Sequence, residues 1–274
     1  MLHPFLSGSS LIKFHLRMTQ SSRPNHKLKA FTMDFSARFH EDGFVIVGQF
    51  LDSDELAEVD RQLDHYITDV VPRTKKGDVD YESGSDRISH LSSLDAYDPY
   101  WNNLLNRLRT LELLESFLGT GVEPLASEVF YKAAHVGSAA PPHQDNAYLH
   151  FDPPEAMAVW VALDEATVEN GCVWYSKGSH KLGDMPHVHG DTPPFSKKVE
   201  QIPDPTRYPA VPAILKPGDA VIHQIGTVHW SERNNSDQDR RGLVLNYKGV
   251  NARVDEQAHA NHMAYVQQLR AMDR

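Results

Sequence analysis

The sequence predicts a mainly β domain with flanking helices, a sandwich or barrel rather than a parallel α/β sheet. After Gly119 the chain runs through short β-forming stretches, EVFYKAA, MAVWVAL, CVWYS, AVPAIL, DAVIHQ, TVHW and GLVLNY, parted by Gly, Pro, Asn and Asp. Helical periodicity belongs to the residues before that glycine and to a closing helix from about Val254. No internal repeat or low-complexity stretch interrupts this order, which places helices in front and a β core behind.

The first residues stand apart from everything that follows. They hold Lys13, Arg17, Arg23, Lys27 and Lys29 and no acid, so 1–33 reads as a basic N-terminal tail and 34–274 as the domain. Such a tail is either an organelle transit peptide or translated leader ahead of a start at Met18 or Met33. GFVIVGQF, residues 43–50, is a strand. In LDSDELAEVDRQLDHYI, Leu56, Val59, Leu63, Tyr66 and Ile67 share one helical face, with Asp52 as N-cap and Glu55 as its capping-box partner. Asp98 and Pro99 open a second helix that turns Leu104, Leu105, Leu108 and Leu111 inward and stops at Gly119. Residues 183–212 form a long connection rich in proline and charge, and KPGD at 216–219 is a turn feeding a strand.

A chain of 274 residues is long enough for one well-buried core. Its 37 acidic against 27 basic side chains give a net charge of -10, which repels phosphate backbones, and no basic stripe compensates. Nucleic acid is therefore not the expected partner. The longest apolar run, AMAVWVAL, falls well short of the roughly 20 residues that span a bilayer. Cys172 is the sole cysteine, which rules out an intrachain disulfide and a Cys-rich zinc site and points to a reducing, cytoplasmic compartment. Monomer and homodimer are equally open.

PPHQDNAYLH, residues 141–150, sets His143 and Asp145 two apart behind paired prolines. On an extended backbone both side chains leave one face, so an imidazole and a carboxylate reach a common point. An H-x-D pair alone is also a common surface accident. The run TVHWSERNNSDQDRRGLVLNY adds His229 at a strand end, a polar turn through Asn234, Asn235 and Ser236, and a return strand. On that strand Arg240, Gly242, Val244 and Asn246 alternate on one face. Two neutral imidazoles and one carboxylate on one face of an octahedral metal, with positions left open, form the ligand set of non-haem Fe(II) oxygenases. An arginine makes two parallel charge-assisted bonds to a planar carboxylate, which suits the far end of 2-oxoglutarate. Arg241 takes that role if the strand register slips by one residue.

Together these motifs resemble the phytanoyl-CoA dioxygenase (PhyH) family of Fe(II)- and 2-oxoglutarate-dependent oxygenases. The matching pieces are PPHQD, WVALDEATVENGCVWYSKGSHK and KPGDAVIHQIGTVHWSERNNSDQDRRGLVLNY, in that order, and the likeness spans about residues 36–250. The resemblance implies a double-stranded β-helix, the cupin-like jelly roll, with Fe(II) and 2-oxoglutarate inside and O2 as a further reactant. It implies that His143, Asp145 and His229 ligate the metal as the catalytic centre, that Arg240 clamps the distal carboxylate, and that Ser231 offers a hydroxyl beside it. Lys132, in FYKAA, and Trp160, in AVWVAL, match positions that border the cosubstrate; the plainer readings are a strand lysine reaching outward and a core tryptophan. The implied reaction hydroxylates an aliphatic C–H bond and releases succinate and carbon dioxide. Asp145 sets the chain apart from halogenating relatives, in which a small residue leaves room for chloride.

His223 competes with His229 for the distal ligand position, yet it lacks the following Ser and Arg at the family's spacing. His187 and His189 lie in the long connection, solvated or over the mouth of the site. His180 shapes a turn, and Cys172 is buried and inert. Two other classes stay open: a cupin-type metal-binding protein with non-oxidative activity, which needs no arginine clamp, and a non-catalytic binding protein of the same fold. The expected substrate is a small molecule or an acyl-CoA-like compound, for which Lys75, Lys76, Lys197 and Lys198 are modest basic sites. Residues 72–90 and 183–212 form the walls that choose it.

Overall fold

The structure, a computed structural model, describes residues 35–75, 77–192 and 195–272. The basic tail 1–33 and Lys76 lie outside the described residues. Asp52 caps the helix Ser53–His65: its carboxylate accepts from the backbone N–H of Asp54 and Glu55, and the Glu55 carboxylate accepts from the N–H of Asp52. Such a cap is worth about 1 kcal/mol. Val59, Leu63 and Tyr66 are buried on the predicted face, with Leu56 and Ile67 packed against them.

The second expected helix is two. Asp98 caps Pro99–Leu105, but Arg107 is extended (φ -63, ψ 120) and a new helix runs Leu108–Leu118 before Gly119 stops it at φ 69. The break lets Arg107 and Arg109 both reach Glu55, at 3.0 and 2.7 Å. It also turns Leu108 to solvent at 69% exposure, which corrects the inward reading of that residue; Leu104 and Leu105 are buried and Leu111 packs on the core.

The β core is a double-stranded β-helix of two antiparallel sheets. Among the described residues the larger sheet has seven strands, in spatial order Phe44–Val47, Ala220–Gln224, Ala156–Ala162, Arg240–Gly249, Val122–Lys132, Ile88–Leu91 and Val79–Tyr81. The smaller has four: Ala210–Pro212, Val173–Ser176, His229–Ser231 and Ala140–His143. Period-2 alternation divides the larger sheet's side chains between two cores. Val159, Val161, Leu243, Leu245 and Tyr247 face the helices and meet Trp101, Leu104 and Phe117. Ala158, Trp160, Val221 and Val244 face the smaller sheet and meet Val173 and Tyr175. MAVWVAL is unbroken in its apolar character because both its faces are covered. Each fully buried large apolar side chain contributes about 1.5–3 kcal/mol to the sandwich.

The connection 183–212 is more regular than its composition suggests. It carries an antiparallel hairpin of His187–Thr192 and Phe195–Val199, and its end, Ala210–Pro212, joins the smaller sheet. The chain closes with the helix Glu256–Met272. No helix among the described residues is long and apolar enough to cross a membrane.

Candidate active site

His143 and His229 are direct cross-strand partners in the smaller sheet, so their side chains leave the same face with ring centroids 4.2 Å apart. Asp145 joins them by a different route from the extended backbone expected for H-x-D. The strand ends at His143, and Asp145 is already in the right-handed helical region (φ -62, ψ -30), leading into the short helix Asn146–Leu149. Its Oδ1 lies 3.6 Å from His143 Nε2 and 3.5 Å from His229 Nε2. One ligand atom from each of the three residues lies within 4.8 Å of the others.

Backbone carbonyls fix both imidazole tautomers. His143 Nδ1 donates to Pro141 O at 2.7 Å and His229 Nδ1 to Thr227 O at 3.0 Å, which leaves each Nε2 lone pair facing Asp145. Burial opposes charge on Asp145, but His229, His143 and His223 around it outweigh that and hold its carboxyl well below the usual range. Burial likewise drives His229 down to about 3. The cluster therefore presents a carboxylate faced by the Nε2 atoms of two imidazoles, a donor set that fits Fe(II) with positions to spare.

A second group of side chains faces the cluster across a cavity of about 300 Å³. Arg240 and Lys132 are cross-strand partners on the inner face of the larger sheet. Lys132 is 5% exposed and donates to the carbonyls of Ser138 and Glu232, so it does not reach outward. Burial first, and Arg240 second, lower its pKa to about 7. Arg240 is 2% exposed, its Nε has no hydrogen-bond partner, and its guanidinium lies over the Trp160 ring at 5.1 Å. Trp160 thus belongs to a core and to the cavity wall at once. Gly242 makes room for it: a Cβ there would lie 2.1 Å from Trp160 Cζ2. Ser231, two residues on from His229, lines the same cavity. Arg241 points the other way, holding Asp164 with two bonds of 2.9 and 2.7 Å and Asp60 at 3.0 Å, so the register gives the inner face to Arg240.

One contributor escaped the sequence reading. Gln144, between the two H-x-D residues, points away from them and clamps the surrounding loops: its amide nitrogen donates to Gly183 O and Gly226 O, and its oxygen accepts from Met185 N. His187 lies beside the cluster's backbone, its Nε2 accepting from Gln144 N at 3.2 Å, and His189 stacks on Tyr265 at 3.8 Å. His223 is at the site without occupying the ligand position: its Nε2 is hydrogen-bonded to Asp145 Oδ2. A polar side chain within an apolar strand was the available signal for His223; Gln144, just past the end of its strand, offered none.

On the cavity's far wall His90 stands between Asp80 and Glu128, at 3.3 and 3.5 Å, and stacks on Phe130. Burial works against its charge, but hydrogen bonds to the two carboxylates prevail and raise its pKa from 6.5 to about 9. The folded value lies above the unfolded one, so this stabilisation is fully present below pH 6.5 and is lost as pH rises through about 9. Its upper bound is about 3 kcal/mol. Thermal unfolding of wild type should therefore weaken relative to His90→Gln across that window, and a constant difference between the two proteins at all pH values would contradict the assignment.

A His-Asp-His cluster inside a double-stranded β-helix, faced by a buried arginine, is the arrangement of the non-haem iron oxygenases that use a 2-oxo acid. The chain belongs to the phytanoyl-CoA dioxygenase family of Fe(II)- and 2-oxoglutarate-dependent oxygenases: the sequence model of that family, Phytanoyl-CoA dioxygenase (PhyH), matches residues 39–242. Phytanoyl-CoA dioxygenase domain-containing protein 1 of Mus musculus is 25% identical over 255 residues, covering 76% of this chain and 87% of the relative. EvdO2 from Micromonospora carbonacea var. aurantiaca, solved in complex with 2-oxoglutarate, is 25% identical with a TM-score of 0.63, covering 87% of this chain and 96% of that one. SnoN, an alpha-ketoglutarate-dependent epimerase from nogalamycin biosynthesis, shares the fold at a TM-score of 0.68 and 24% identity, over 82% of this chain and 85% of its own.

Proposed function

We propose that this chain hydroxylates an aliphatic C–H bond of a small molecule, holding Fe(II) on His143, Asp145 and His229 and 2-oxoglutarate against Arg240, Ser231, Lys132 and Trp160. The observation that carries this reading is Arg240, a buried guanidinium that forms no ion pair among the described residues and whose Nε has no hydrogen-bond partner, on the wall of the cavity that contains the His-Asp-His cluster. A buried charge left alone is costly, and a dicarboxylate reaching from the cluster to the opposite wall supplies the missing partner. Lys132 beside it takes a further share of negative charge. When bound, iron, 2-oxoglutarate and O2 supply the oxidising power, with succinate and carbon dioxide as by-products.

The chain's own residues bind, orient and exclude water. His143 and His229 keep their Nδ1 protons on backbone carbonyls, so both Nε2 atoms stay available. Trp160, seated on Gly242, gives the guanidinium a flat support, while Phe130, Val173 and Val244 add apolar lining to a wall that also holds Glu82, His90 and Glu128. Asp145 fills the position that halogenating relatives leave open, which favours hydroxylation. A CoA substrate is disfavoured, since the Lys197 ammonium is already bound to Ala147 O and the net charge is -10. A non-oxidative cupin has no use for Arg240, and a non-catalytic binding protein has none for the His-Asp-His cluster. The single buried Cys172 fits a reducing, cytoplasmic setting.

Reactions of the Fe(II)-loaded protein with 2-oxoglutarate, O2 and candidate small molecules test this. Succinate should form together with a product one oxygen atom heavier than its substrate. Succinate formation with a product of unchanged mass would replace hydroxylation by epimerisation as the reaction.

A further inference from the structure

Asp145 has two carboxylate oxygens in different surroundings. Oδ1 faces both histidine nitrogens of the cluster, while Oδ2 is 3.0 Å from His223 Nε2. His223 is 3% exposed, on the inner face of the larger sheet. Its other nitrogen, Nδ1, is 3.0 Å from the hydroxyl of Tyr175, which is 0% exposed and stacked on Phe44 at 4.5 Å. A carboxylate only accepts, so His223 carries its proton on Nε2 and donates it to Oδ2; Nδ1 then accepts from the Tyr175 hydroxyl. Both ring nitrogens are committed: Nε2 carries the proton, and the one lone pair, on Nδ1, is taken by Tyr175, so none is left for a metal.

We propose that His223 is a positioning residue, which pins Oδ2 of Asp145 so that Oδ1 stays turned toward His143 and His229, with Tyr175 fixing the tautomer that makes this possible. The proposal rests on the reading of Asp145 as a metal ligand. The chain of bonds is anchored on both sheets, Tyr175 on the smaller and His223 on the larger. Asp145 itself sits at the end of a strand, where its backbone leaves the ladder, and needs such an outside hold. The same bonds explain why this histidine, near enough to His229 for ring centroids 4.6 Å apart, is not a fourth ligand.

Co(II) titration of the apo full-length chain, read as dissociation constant and d–d spectrum, tests the assignment without turnover. Loss of a hydrogen bond to a ligand typically weakens metal affinity about 10–100-fold, which is the fall expected for His223→Leu. His223→Gln, whose amide offers one donor and one acceptor, should restore most of it. Tyr175→Phe should weaken binding less than His223→Leu, and adding it to His223→Leu should cost little more, because the two side chains act through one bond. A folded His223→Leu protein with wild-type affinity and spectrum would overturn the proposal, as would a Gln variant as weak as Leu. If the Leu variant does not fold, Tyr175→Phe, which keeps the ring packing, decides: undiminished affinity there counts against it. Wild type that binds no Co(II) removes the metal-site reading itself, and is distinguished by appearing before any variant is made.

Discussion

Asp145→Ala is expected to abolish succinate formation from 2-oxoglutarate while leaving the protein folded. The carboxylate is the only anion among the three clustered groups, and both Nε2 atoms of His143 and His229 point at it. Removing it leaves two neutral imidazoles to hold a dication. Disturbing a hydrogen bond to a ligand already costs about 10–100-fold in metal affinity or activity, so deleting the ligand should cost more than about 100-fold. The variant should still fold, because Gln144, pointing the other way, ties the surrounding loops together, although the buried Nε2–H of His223 loses its acceptor at a cost of about 1–3 kcal/mol. The checks are succinate formation and metal content after dialysis, with thermal unfolding as control; full activity in this variant would sink the assignment of the metal ligands.

Arg240→Met should act in opposite directions on stability and on binding. Burial lowers the guanidinium's pKa only to about 10, so it stays charged at neutral pH, yet it forms no ion pair with a carboxylate among the described residues, and Asp164 acts on it only from a distance. Replacing such a charge with an apolar side chain of similar volume is commonly neutral or stabilising by about 1–4 kcal/mol, so the apo variant should unfold no lower than wild type. Breaking a buried ion pair costs about 3–5 kcal/mol, so affinity for 2-oxoglutarate should fall at least about 100-fold. Gly242→Ala reaches the same endpoint from the next position on the same face of the strand, because its Cβ displaces the Trp160 ring that supports the guanidinium. An Arg240→Met protein that is destabilised and still binds 2-oxoglutarate would make the arginine a structural residue.

Much of the helical part was legible because local chemistry decided it: Asp52 with Glu55, Asp98 before Pro99, and Gly119 each acted within a few residues of themselves. Leu108 was misplaced because periodicity runs on through the break at Arg107, and the pull of Glu55 on Arg107 and Arg109 comes from a distant helix. The hairpin in 183–212 was hidden by a composition that resembles a loop. His143, Asp145 and His229 were named from motif order, but the reason given for the first two was incomplete, since a strand-to-helix junction rather than strand alternation aims Asp145. The choice between Arg240 and Arg241 required the register against Lys132, a pairing across more than a hundred residues. His223 could be read only as a rival ligand, because its two hydrogen-bond partners come from a strand and from a strand-to-helix junction that only the folded chain brings together.

The most direct test of the central claim is an anaerobic titration of the apo protein with Fe(II) and then 2-oxoglutarate, followed by visible absorption. The weak charge-transfer band of a 2-oxoglutarate chelate should appear only when both are present, should be absent in Asp145→Ala, and should need far more 2-oxoglutarate in Arg240→Met. Failure of wild type to bind either Fe(II) or 2-oxoglutarate would contradict the account, leaving the fold without the oxygenase site proposed within it.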